Sequence, residues 1–242
     1  MSRAVRAFAH ARVRAAKSRL ARRTDVLPLL CASDESTRQR LLAMTGPDRE
    51  RLLAAYRLVM KSHPDDGAVF EAMLRLHAVE QIKDARRRGA EPGDLVIGVD
   101  APKMEELALD RWASRQLLDC ARRLPLHERL ARQLLESIVR ERDNELLRRG
   151  ERFFGLSPGA AAGLTVLQKQ PVNPTELRTT RRRLCRRAFV GHTFELAPSI
   201  AYLLLVEEEL RGLTALAERS VDGSTDAAVE GVLAGGLMGE AG

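Results

Sequence analysis

Residues Phe194–Ser220, reading FELAPSIAYLLLVEEELRGLTALAERS, place apolar side chains at Leu196, Ile200, Leu203, Val206, Leu210, Leu213 and Ala217. Steps of three and four over about seven turns predict one long α-helix with a narrow apolar seam. Glu207 and Glu208 fall outside that seam, at i,i+4 and i,i+3 from Arg211, within salt-bridge reach. A helix of this kind packs against other helices and brings no chemistry of its own. Its function is expected in assembly.

Related layouts occur twice upstream. Glu80-Gln-Ile-Lys83 and Glu141-Arg-Asp-Asn144 align with Glu209-Leu-Arg-Gly212, at spacings of 61 and 68 residues. The register matches Met73 with Leu134 and Tyr202, Leu74 with Leu135 and Leu203, and His77 with Ile138 and Val206. A repeat of this length predicts similar helical units side by side.

The core must be built from Leu, Ala and Val, because hydrophobic residues are 45% of the 242 but aromatic ones only 4%. With abundant Arg and Glu, that mixture favours helix throughout and an all-α fold. No stretch alternates apolar and polar residues convincingly. The best strand candidate, Asp94-Leu-Val-Ile-Gly98, reads as an extended linker. The net charge is +7, and the excess sits in two acid-free runs, Arg3–Arg23 and Arg178–Arg187. Arg12, Arg14 and Arg19 in the first, and Arg182 and Arg186 in the second, are candidates for docking to a partner of opposite charge. Simple solvation of arginine-rich faces is the plainer alternative.

Cys31, Cys120 and Cys185 lie far apart without metal-ligand spacing and fit reduced thiols in the cytosol. No apolar signal core follows the basic N-terminus, so export is not expected. The longest uncharged runs, Phe153–Gln168 and Leu196–Val206, fall short of the roughly 20 apolar residues that a spanning helix needs.

Along the chain, Ser2–Arg23 reads as a basic helix with Val5, Phe8, Val13, Ala16 and Leu20 as its apolar side. Helices are expected over Asp34–Met44, Asp48–Ser62, Gly67–Arg88, Met104–Arg123 and His127–Phe153, with Gly89–Lys103 as a linker. Asp65-Asp66 reads as an N-cap pair, and Ser157-Pro158 as a cap with first-turn proline, its helix running to about Gln168. Asn173-Pro174-Thr175-Glu176 starts a basic helix over Thr175–Val190. Ser224–Leu233 is expected to close the fold. The division is into units 1–98, 99–170 and 171–242.

Phosphate-binding, dinucleotide, zinc-protease, nucleophile-elbow and calcium-loop motifs are all missing from the sequence. The histidines are scattered, and His77 reads as a core histidine. Asp143-Asn144 reads as a surface or interhelix hydrogen-bonding pair. The expectation is a chain without catalytic, cofactor-binding or metal-binding residues.

Three segments, in order, resemble one family. Ala11-Arg-Val-Arg-Ala-Ala-Lys-Ser-Arg-Leu20 is similar to its opening helix. Arg140-Glu-Arg-Asp-Asn144 through Arg148, followed by Gly155-Leu-Ser157, is similar to its central segment. Ala201-Tyr-Leu-Leu-Leu-Val-Glu-Glu-Glu-Leu-Arg-Gly-Leu213 resembles its signature near the C-terminus. The family is the C subunit of vacuolar/archaeal-type rotary ATPases, called subunit d in eukaryotes. The chain is shorter than most members. It has Gly212 where the family commonly has Asn, and Lys83 at the aligned place upstream.

The resemblance implies a funnel of three helical bundles about a pseudo-threefold axis, capping the membrane proteolipid ring and receiving the central stalk. It implies a peripheral, non-catalytic part on the cytoplasmic face that transmits torque for ion transport, with Asn144, Arg148, Tyr202, Glu209 and Leu213 as helix-packing signature. Anionic lipid headgroups are possible further partners; no cofactor and no small-molecule substrate are expected. The alternative reading is a basic helical nucleic-acid-binding or adaptor protein, using Arg178–Arg187 on phosphates. Against it, no aromatic residue is interleaved there for base stacking.

Overall fold

A computed structural model describes residues 3–20, 36, 39, 48–89, 106–190 and 195–219. The helices are α1 (Arg3–Lys17), α2 (Asp48–Ser62), α3 (Gly67–Arg88), α4 (Glu106–Arg123), α5 (Arg129–Phe154), α6 (Pro158–Leu164), α7 (Pro174–Val190) and α8 (Ala197–Arg219). A single 3-10 turn, Pro64–Asp66, precedes α3, and no strand occurs among the described residues. The fold is all-α. The expected helix Asp34–Met44 (save Ser36 and Gln39, both helical), the linker strand candidate and the closing helix Ser224–Leu233 lie outside the described residues.

The chain forms two compact units, one of residues 1–63 with 185–242, the other of residues 64–184. The three-unit division drawn from the sequence groups the same helices differently. In the first unit α8 packs on α2 and α1, and α1 packs on α2. Leu196, Ile200, Leu203, Val206 and Leu210 are all buried, as the seam requires. The seam is not narrow, however. Ala197, Ala201, Tyr202, Leu204 and Leu205 are buried as well, so the helix is enclosed on every side from 196 to 206. Each such Leu or Ile contributes about 1.5–3 kcal/mol through removal of apolar surface from water.

The N-terminal helix corrects one expectation. Ala9 and Val13 are fully buried, but Phe8 is 62% and Val5 41% exposed. At about 100° per residue, Phe8 lies far round the helix from Val13, and Ala9 takes the core position instead. Regular helix also stops at Lys17, with Ser18, Arg19 and Leu20 turning back onto Arg14, Ala16 and Lys17 carbonyls.

In the second unit α4 packs against both α3 and α5, and α5 carries α6. α3 and α5 end at Gly89 (φ 63°) and Gly155 (φ 57°), left-handed positions where a Cβ is disfavoured. Asp66 occupies the N-cap position of α3 as expected, but its side chain makes no cap bond. Ser157 does: its Oγ accepts from the Ala160 N–H at 3.3 Å, with Pro158 in the first turn. That helix stops at Leu164, short of Gln168. Continuation would need the amides of Val166–Gln168 for helical bonds, and the Asp143 carboxylate takes them instead.

Candidate docking surface and the polar ties behind it

The last turn of α7 leaves carbonyl oxygens without helical partners and carries the negative end of the helix dipole. α1 supplies two cations there. The Arg14 guanidinium donates to the Phe189 carbonyl, and the Lys17 ammonium stands 4.3 Å from the centre of the Phe189 ring. Burial lowers the Lys17 pKa, and the adjacent Arg14 charge lowers it further. Burial and then Arg14 act in the same direction on His10. Two basic runs far apart in sequence thus meet within the first unit, at residues 14, 17 and 185–190.

The five docking candidates fare differently. Arg14 serves this internal tie. Arg12 is half-buried and sits over the exposed Phe8 ring at 5.6 Å. Arg19 is exposed and lines a pocket of about 200 Å³ with Arg51, Tyr202, Ala16, Leu20 and Leu58. On α7, Arg186 is exposed and Arg182 half-buried. Arg181 between them and the core is buried and ion-paired to Glu141 on α5. The run Arg178–Arg187 is therefore partly a structural face, with Arg178, Arg183, Arg186 and Arg187 toward solvent.

Of the packing-signature residues, Asn144, Tyr202 and Glu209 are buried and Arg148 is exposed. Asn144 is 3% exposed; its Oδ1 accepts from the Val172 N–H at 2.7 Å and from Gln168 Nε2 at 3.0 Å. Its neighbour Asp143 is fully buried and receives the N–H groups of Val166, Leu167 and Gln168. The pair is a clamp for residues 165–172, interior where a surface role was one expectation. Arg148 adds a longer bond, 3.4 Å, to the Val172 carbonyl. Tyr202 is buried, which raises its pKa, Arg51 opposing and Glu209 assisting. Leu213 belongs to α8, with its side chain outside the described residues.

The aligned glutamates share a feature that spacing could not reveal. Glu80 of α3 pairs with Arg142 of α5 at 2.8 Å. Glu141 of α5 pairs with Arg181 of α7. Glu209 of α8, 5% exposed, pairs with Arg51 of α2 at 2.9 Å. Each one holds an arginine from a different helix, and Lys83 with Asp110 extends the first pair into a buried cluster. Burial raises the Glu80 carboxyl pKa, but Arg142 and Lys83 outweigh it and the net shift is downward.

Among the described residues no group of three or more His, Cys, Asp or Glu is placed to hold a metal, and no helix is long and apolar enough to cross a membrane. Buried polar groups in each unit fasten helices to one another, and exposed arginines lie on α1 and α7. Comparison with protein-family models, curated proteins and solved structures gives no match.

Proposed function

We propose that this chain is a non-catalytic rotor-coupling subunit of a vacuolar/archaeal-type ATPase. It joins the central stalk to the membrane proteolipid ring on the cytoplasmic face and passes torque between them. In this reading three helical bundles surround a pseudo-threefold axis as a funnel, and the aligned Glu80, Glu141 and Glu209 mark the three.

One observation supports the reading above the others: each aligned glutamate captures an arginine from another helix, so the sequence repeat has a repeated physical job. The segments that carry the family resemblance also contribute the long-range ties, at Arg14, Asp143, Asn144 and Glu209. Torque transmission demands stiffness, and close-packed helical cores resist deformation. The cationic faces suit acidic surfaces on ring and stalk, with fast, salt-sensitive docking.

The test is a pulldown of ring and stalk subunits from the same source by the wild-type chain and by the double variant Arg182→Glu, Arg186→Glu. The wild type recovers both partners. The variant keeps its far-UV circular dichroism and recovers less of them. Equal recovery removes α7 from the docking role.

A further inference from the structure

Four large apolar side chains are exposed among the described residues: Val5, Phe8, Leu126 and Val190. Three of the four lie on α1 and the last turn of α7, the two helices whose basic runs contain no acid. Around α1, about 100° per residue sets Phe8 about 100° round from the buried Ala9 and about 140° from Val13. Half-buried Arg12 follows Phe8 one turn later on one side, and exposed Arg14 lies on the other. Arg12 stacks on the Phe8 ring at 5.6 Å. The end of α7, tied beside α1 through Arg14 and Phe189, adds Arg187 and Val190, the latter 87% exposed.

We infer that the outer face of α1 is a peripheral attachment site for an anionic lipid bilayer. A helix that presents an aromatic side chain between arginines lies in the interfacial plane, its ring among the upper acyl chains and its guanidinium groups on the headgroup phosphates. Long arginine stems let the charge stay in the headgroup layer while Phe8 goes deeper. An acid-free helix is complementary to a surface of uniform negative charge. A nucleic-acid backbone would use the arginines but leave Phe8, Val5 and Val190 in water. A shaped protein partner calls for a larger contiguous apolar patch than Val5 and Phe8 on α1 with Val190 on α7 supply.

The inference deepens the proposed peripheral placement and names the lipid class involved. It is tested without ring or stalk, so its failure is distinguishable from failure of the pulldown. Full-length protein is co-sedimented with vesicles of phosphatidylcholine alone, and with vesicles containing about one third phosphatidylglycerol. Binding is expected only to the anionic vesicles, and should be largely lost at about 0.5 M salt, where charges are screened within a few ångströms. Arg12→Glu should weaken vesicle binding about fivefold or more. Phe8→Ser should weaken it about fivefold, at unchanged helical content, because the ring is already exposed in the free chain. Val5→Ser, at a second exposed position, is expected to act in the same direction.

Equal sedimentation with both vesicle types, or none with either, overturns the inference. Binding to polyglutamate without binding to anionic vesicles assigns the face to an acidic protein instead. Retention of full vesicle affinity by both Phe8→Ser and Val5→Ser excludes insertion of this face.

Discussion

Glu209 is 5% exposed within α8, and its carboxylate meets the guanidinium of Arg51 on α2 at 2.9 Å. Arg51 is a third exposed, so the arginine closes a buried charge from the solvent side. Replacing Arg51 with Met leaves the carboxylate enclosed without this cation and should cost about 2–3 kcal/mol. Glu209→Gln keeps the volume and removes the charge, and should cost less. Urea denaturation of both variants gives the comparison; a smaller loss for Arg51→Met contradicts it.

Lys83 and Asp110 make the corresponding buried pair in the other unit, each side chain 4% exposed. Their remaining partners differ. Asp110 keeps Arg142 at 2.7 Å when Lys83 is removed, whereas removal of Asp110 leaves Lys83 and Arg142 sharing Glu80. Asp110→Ala should therefore destabilise by about 3–5 kcal/mol and Lys83→Met by less. The double variant should recover part of the loss, and midpoint shifts in chemical denaturation measure the order.

The Asp143 carboxylate holds three successive amides, with Leu167 and Gln168 at 2.6 and 2.8 Å. Asp143→Ala orphans them and should cost about 3 kcal/mol or more, since each unsatisfied buried donor costs about 1–3 kcal/mol. Amide hydrogen exchange at Val166–Gln168 should rise sharply in the variant. Unchanged protection of those amides would contradict the clamp.

His63 is buried, its Nε2 2.8 Å from Ser199 Oγ, and burial with help from Arg6 lowers its pKa to about 4. The unfolded chain titrates near the ordinary value of 6.5. Between those values the unfolded state binds more protons, so stability falls as pH drops from about 6.5 to 4 and is steady again below. The loss attributable to this group is about 3 kcal/mol. His63→Gln should flatten the stability profile over that window in thermal or urea unfolding.

Helix placement was largely legible because its signals are local. Gly67–Arg88 and Asp48–Ser62 have the expected bounds, and Ser157-Pro158 and Asn173-Pro174 mark real helix starts. What failed depended on tertiary competition. The helix after Pro158 ends early because a carboxylate from α5 takes its next amides. Phe8 looked like core, but one turn of helix offers several apolar positions and Ala9 won the buried one. The candidate site was half legible. Acid-free arginine runs stand out in sequence, whereas the use of Arg14 and Arg181 inside the fold depends on which helix faces meet across 175 and 40 residues.

Affinity purification of the chain from native membranes, followed by mass spectrometry of what accompanies it, tests rotor coupling most directly. A nucleotide-binding hexamer, central-stalk subunits and a membrane proteolipid should be recovered together with the chain. Recovery of nucleic acid, or of an unrelated assembly lacking those subunits, would contradict it.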